Sequence, residues 1–178
     1  FGKNLNVDYE EVMDLNDKLP KDLGKFDYVF MLDVIEHLRD PENFIKYFYN
    51  RLNQNQIIIA STGNISFFVI RIMLLFGYFN YGNRGILDRT HTRLFTFYSF
   101  KKLLFNYFEI TKIKGIPAPY PLALGNNFFA KLLLKINILL IKISKSIFSY
   151  QMVFILKPKP SLKNILNETL EYSKKIKL

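Results

Sequence analysis

Residues 26–33 read Phe-Asp-Tyr-Val-Phe-Met-Leu-Asp, a short and almost unbroken apolar run with Gly24 just ahead of it. A run of that length predicts a strand buried on both faces of a parallel sheet. Asp40-Pro41-Glu42 follows: aspartate suits a helix N-cap, proline the first helical position and glutamate the first turn. Phe44, Ile45, Phe48 and Leu52 then recur at helical spacing until Asn53, and residues 56–61 (Gln-Ile-Ile-Ile-Ala-Ser) predict a second buried strand. Strand, crossover helix and strand make a βαβ unit, whose strands run parallel. Upstream, residues 7–15 mix apolar and acidic positions, stop at the turn-prone pair Asn16-Asp17, and predict an earlier strand ending near Asp14.

The pattern loosens over residues 64–97. Residues 67–79 are strongly apolar but too few to span a bilayer, and Arg71 interrupts them; they read as a buried or lid helix. A loop with Gly77, Gly82 and Gly85 precedes the polar stretch Asp88-Arg89-Thr90-His91-Thr92-Arg93. Helical spacing returns at residues 96–108, with Phe100, Leu103, Leu104 and Phe108 on one face, and a strand is expected over 108–115. Three prolines make residues 116–121 a loop. Residues 127–148 predict one long amphipathic helix. On it Lys131, Lys135, Lys142 and Lys145 fall within roughly 80° of a wheel turning about 100° per residue. Residues 150–156 form a last strand, closed by Lys157-Pro158-Lys159-Pro160, and residues 161–178 are a polar, basic tail.

Composition narrows the chemistry. The 178 residues suit one domain, and 49% hydrophobic against 22% charged residues excludes wholesale disorder. Cysteine is absent, which removes disulfides, thiolate metal sites and cysteine nucleophiles. With two histidines in the chain, any imidazole chemistry falls to His37 or His91. A net charge of +10 permits contact with nucleic acid or anionic lipid without demanding either. The chain begins at Phe1 with no signal-peptide layout near the start, so a piece of something longer or a processed product is expected. The absence of cysteine fits a reducing compartment, and the expected location is cytoplasmic. In an open α/β sheet, ligands bind beyond the carboxyl ends of the strands, where Asp14, Asp33, Glu36 and His37 are expected.

The string Phe26-Asp27-Tyr28-Val29-Phe30-Met31-Leu32-Asp33-Val34-Ile35-Glu36-His37-Leu38-Arg39-Asp40-Pro41 closely resembles the fourth motif of class I S-adenosylmethionine-dependent methyltransferases, an F-D-x-V strand followed by an acid, E-H-L and a D-P helix start. Residues 85–96 (Gly-Ile-Leu-Asp-Arg-Thr-His-Thr-Arg-Leu-Phe-Thr) are similar to the G-I-L-D-x-T-H-x-R-x-F-T segment of one subgroup, and residues 149–158 to its last strand. The likeness runs from about residue 7 to residue 160, with the motifs in order. It implies an α/β, Rossmann-like, mainly parallel sheet with helices on both faces and an antiparallel last strand. It implies S-adenosylmethionine as cofactor, bound by Asp14, Leu15, Met31, Leu32 and Asp33. His37 and His91 become candidate catalytic groups, and Glu36, Asp88 and Arg93 candidate acceptor-binding groups. In some related enzymes an E-x-x-E-H cluster binds a divalent metal; Asp33 keeps the first carboxylate here, and no metal is assigned.

The same likeness exposes a gap. The family's glycine-rich loop after its first strand and its ribose-binding acid have no counterpart, since Gly2, Gly24 and Gly63 stand alone. The expectation is a domain over residues 1–160 that lacks the family's first two strand-helix units, with poor solubility from exposed sheet edges and no cofactor binding by itself. The expected acceptor is a small molecule; a nucleic acid is not favoured, no compact basic recognition motif being present. Two alternatives stay open: a non-catalytic remnant, and peripheral membrane contact through residues 127–148. Local readings also stay open: Asp14 and Asp88 as turn caps, His37 packed on the sheet, and Arg89 or Arg93 paired with Asp88.

Overall fold

In the computed structural model, the described residues are 14–15, 23–160, 166 and 169. Four strands form one sheet in the order β1-β2-β4-β3: β1 (Tyr28–Leu32), β2 (Ile57–Gly63), β3 (Phe108–Ile116) and β4 (Gln151–Pro158). β1 and β2 pair in parallel, Tyr28 opposite Ile57 through Leu32 opposite Ser61, as the βαβ reading requires. β4 runs against both β2 and β3, so three strands share a direction and the last opposes them. The predicted strand over 7–15 and the tail over 161–178 lie outside the described residues, apart from Asp14, Leu15, Leu166 and Thr169.

The crossover between β1 and β2 is α1 (Pro41–Tyr49). Asp40 caps it by accepting from the Asn43 N–H at 3.0 Å, and Pro41 occupies the first turn. α3 (Phe97–Phe105) opens on a reciprocal Thr96–Ser99 capping box. Both helices cover one face of the sheet. Phe44, Ile45 and Phe48 of α1 and Phe100 and Leu104 of α3 join Met31, Ile58, Ala60 and Phe154 in the main core. The Phe100 ring meets Phe154 edge-on at 5.1 Å, and Phe48 lies 6.3 Å from Phe108. Each such ring contributes about 1.5–3 kcal/mol by burial, which sets the orientation of both helices on the sheet.

Several expectations change. β1 is not buried on both faces: Tyr28, Phe30 and Leu32 are 56–59% exposed while Met31 faces the core. Among the described residues β1 pairs with β2 alone, and nothing covers its second face. α2 (Phe68–Leu75) is a surface helix with Ile70 its one buried residue, which excludes the buried reading of this segment and leaves the lid reading untouched. The proline-rich segment ends in a short helix, α4 (Tyr120–Leu124), because Pro119 and Pro121 sit at its N-cap and first turn, where a missing N–H costs nothing. The long helix divides into α5 (Phe128–Ile143) and α6 (Lys145–Phe148); Ser144, extended at φ −149°, ends one and starts the other. These two helices lie against β3. No helix among the described residues is long and apolar enough to cross a membrane.

Candidate functional site

β1 ends in a strained residue. Asp33 has φ +53°, the only non-glycine described residue with positive φ, a conformation that favours Gly, Asn and Asp and disfavours branched side chains. Two hydrogen-bond donors hold its carboxylate: Ser61 Oγ to Oδ1 at 2.9 Å and Gln151 Nε2 to Oδ2 at 2.7 Å. Its backbone N–H donates to both the Ser61 carbonyl and Ser61 Oγ at 3.2 Å. Three strand ends therefore converge on one carboxylate.

Beyond Asp33 a single turn of 3-10 helix, Ile35–His37, carries the E-H pair. The polar stretch after α2 is fastened to that turn. Thr92 N–H and Arg93 N–H both donate to the Glu36 carbonyl, at 2.9 and 3.1 Å, and the Thr92 hydroxyl donates to the Leu38 carbonyl at 2.6 Å. Asp88 folds the stretch by accepting from the N–H and hydroxyl of Thr90 at 2.8 and 2.7 Å; those bonds hold its carboxyl below the usual carboxylate range. This zipper brings the two histidines together, ring centroids 4.8 Å apart and edge-to-face.

Both imidazoles are oriented by backbone. His37 Nδ1 lies 3.2 Å from the Thr90 carbonyl and His91 Nδ1 2.9 Å from the Ile86 carbonyl. A carbonyl oxygen only accepts, so each Nδ1 carries a proton, and in the neutral form of either ring Nε2 is the lone-pair nitrogen. Glu36, in the same turn as His37, is 2% exposed, with Oε2 buried and without a hydrogen-bond partner. Burial pushes its carboxyl above the ordinary range and the nearby Asp33 charge adds to this. Hydrogen bonds from its own backbone and Thr62, and the nearby His91, oppose the shift.

These groups line a cavity of about 290 Å³ together with Gly63, Gly85, Ile86, Tyr150 and Gln151. Gly85 (φ +87°) belongs there by necessity, because a Cβ would lie 2.6 Å from the Tyr150 hydroxyl. Burial raises the Tyr150 phenol, opposed by its hydrogen bond with the Ile86 backbone. Of the residues singled out from sequence, Asp33, Glu36, His37, Asp88 and His91 meet at this cavity. The others do not. Met31 is buried in the core and Leu32 is exposed on the open face of β1. Asp14 is exposed and Leu15 packs against the main core. Arg93 approaches Glu42 at 3.6 Å, not Asp88, and lines a different and larger cavity of about 540 Å³ beside Tyr98 and Lys102. Among the described residues no three His, Asp or Glu side chains gather closely enough to hold a metal ion.

Sequence reasoning missed Ser61, Tyr150 and Gln151. The signal was available: an antiparallel last strand beside β2 must begin where β2 ends, and Gln151 indeed pairs with Gly63.

No family model and no curated protein matches the sequence. Solved structures do match in fold. A protein from Thermotoga maritima, described as an S-adenosylmethionine-dependent methyltransferase and possible histamine N-methyltransferase, superposes with a TM-score of 0.53 at 17% identity, over 81% of this chain and 61% of that one. An S-adenosylmethionine-dependent methyltransferase from Archaeoglobus fulgidus gives 0.49 at 17% identity, over 83% of this chain and 66% of that one. The chain thus spans less than two thirds of the length of either. The fold is that of the class I S-adenosylmethionine-dependent methyltransferases, an α/β mixed sheet whose last strand is antiparallel.

Proposed function

We propose that this chain is the acceptor-side part of an S-adenosylmethionine-dependent methyltransferase acting on a small molecule. One observation carries the reading: Asp33, Glu36, His37 and His91 converge on a single cavity at the carboxyl ends of β1 and β2, where open α/β sheets bind ligands. The cofactor supplies, when bound, an electrophilic methyl group on a cationic sulfur. The residues described fit the cationic end of such a molecule: Asp33 and Glu36 set acidic side chains around the cavity, and the buried Glu36 Oε2 awaits a partner. For its nucleoside, the sequence offers no glycine-rich loop and no ribose-binding acid. At about 290 Å³ the cavity stands at the lower limit for a small-molecule site, too little for donor and acceptor together. Among the described residues β1 has one unpaired edge and one uncovered face, which supports the same reading, that further strand-helix units of the whole enzyme complete the cradle there.

The chain's own groups have defined roles in this reading. As the acceptor atom gains the methyl group it loses a proton, and the free Nε2 of His91 or His37 is the base that receives it. The Ile86 and Thr90 carbonyls fix the ring tautomers that leave those nitrogens available. Catalysis otherwise rests on alignment and exclusion of water, so few further groups are needed.

The test incubates labelled methyl donor with cell extracts and this chain joined to upstream units carrying a glycine-rich loop. Label should pass to a small molecule, and Asp33→Ala and His91→Ala should each abolish most of the transfer. Transfer undiminished in both variants overturns the assignment. For the chain alone, calorimetry should detect no cofactor binding; micromolar affinity would show that the cradle needs no upstream part.

A further inference from the structure

The surface of α5 divides into three sectors. Ala130, Leu133, Leu134, Asn137, Leu140 and Ile141 point inward, buried or half-buried, at helical spacing. Asn137 anchors that side: its Oδ1 accepts from the Ala118 N–H at 3.0 Å and its Nδ2 donates to the Phe148 carbonyl at 2.8 Å. Turning about 100° per residue from Asn137, the exposed Lys131, Lys135 and Lys142 occupy one outward sector, bordered by the exposed Ile138. The remaining outward sector is wholly apolar: Phe128, Phe129, Leu132, Ile136, Leu139 and Ile143. It is well exposed, with Phe128 at 82% and Ile143 at 78%, and Leu122 of the adjoining α4 at 87%. Among the described residues nothing covers it.

The charge around this face is one-sided. Residues 110–160 contain eight lysines and not one aspartate or glutamate. A second copy of the chain, or a basic or neutral protein, would leave that excess unanswered. A surface that is apolar at depth and anionic at its rim answers both sectors at once.

We infer that α4 and α5 dock the protein on an anionic lipid bilayer, α5 lying in the plane of the interface with its apolar sector among the acyl chains and Lys131, Lys135 and Lys142 at the headgroups. α5 has sixteen residues, so at about 1.5 Å per residue it is roughly 24 Å long and lies along the bilayer rather than across it. This goes beyond methyl transfer and does not depend on it.

Vesicle flotation tests the inference and separates binding from aggregation, because aggregates sink. The chain should float with vesicles containing phosphatidylglycerol at low salt, float weakly with phosphatidylcholine alone, and release as salt rises. Replacing Lys131, Lys135 and Lys142 by Gln should weaken the anionic binding about a hundredfold, taking each lysine near the surface at the usual strength. Leu139→Ser with Ile143→Ser should also abolish flotation, with thermal stability unchanged because both side chains are exposed. Flotation insensitive to the lysine triple variant overturns the inference. So does absence of flotation with the anionic vesicles. A concentration-dependent dimer that the Leu139→Ser/Ile143→Ser variant dissociates, with no flotation, would assign the face to a second copy instead.

Discussion

Ser61 reaches Asp33 from the neighbouring strand twice over: its hydroxyl donates to Asp33 Oδ1 at 2.9 Å, and its Oγ and carbonyl both receive the Asp33 N–H at 3.2 Å. These bonds hold the left-handed backbone of Asp33, a conformation that aspartate tolerates better than branched residues do. Ser61→Ala removes the charge-assisted hydroxyl bond and should cost about 1–2 kcal/mol in chemical denaturation. Asp33→Val should cost more than Asp33→Gly, since a branched side chain at φ +53° adds about 1–3 kcal/mol of strain that glycine avoids. Equal stability of the two variants would show that the backbone relaxes at no expense.

Glu36 makes stability depend on pH in a stated direction. Its carboxyl is raised above 4.5, chiefly by burial, so the folded state holds a proton that the unfolded state has already released. By linkage this lowers stability as pH climbs from about 4.5 to the raised value, and the loss persists above it. Glu36→Gln keeps the shape and removes the charge. It should raise the thermal midpoint at neutral pH and flatten the acid side of the stability profile, leaving the midpoint near pH 4 almost unchanged. A lower midpoint at pH 7 would mean that the ionised carboxylate contributes a bond the fold needs.

What the sequence made legible was local chemistry and direction. The Asp40-Pro41 start, the parallel β1–β2 pair and the antiparallel β4 follow from capping, apolar runs and the crossover rule, and all appear. Three things needed the fold. Tyr28, Phe30 and Leu32 read as buried because they are apolar, yet apolarity does not reveal which neighbour covers a strand. Arg93 belongs by spacing with Asp88, but its backbone is used by the Glu36 carbonyl and its side chain turns to Glu42. Tyr150 and Gln151 enter the site through register alone, across more than a hundred residues.

Gly85 should resist substitution for two separable reasons. Its φ of +87° disfavours any side chain, and a Cβ would press on the Tyr150 hydroxyl. Gly85→Ala should cost about 1–3 kcal/mol. Adding Tyr150→Phe removes the clashing oxygen and should recover part of that loss, leaving the backbone share. A double-mutant cycle with no coupling would exclude the clash.

The imidazole tautomers are directly measurable. With Nδ1 of His37 and His91 donating to the Thr90 and Ile86 carbonyls, long-range nitrogen–proton spectra of the neutral rings should show Nδ1 protonated and Nε2 bare. Free imidazole prefers the opposite tautomer, so the signal is distinctive. Protonation at Nε2 in both rings would remove the bases from the proposed reaction.

The edge of β1 that no described strand pairs with carries the last prediction. A strand with unpaired backbone groups and exposed apolar side chains is a template for pairing with another chain. Phe30 stands in the middle of β1, 59% exposed, and its side chain contributes nothing to the core. Phe30→Lys should therefore leave the unfolding midpoint within about 0.5 kcal/mol of the wild type. It should also shift sedimentation profiles from associated species toward monomer, because a lysine on an edge strand opposes edge-to-edge pairing. A marked drop in stability would show instead that Phe30 is covered in the folded chain. Unchanged association would move the sticky surface away from β1, to the apolar sector of α5 or the exposed Leu75 and Phe76 at the end of α2, each open to test by the same method.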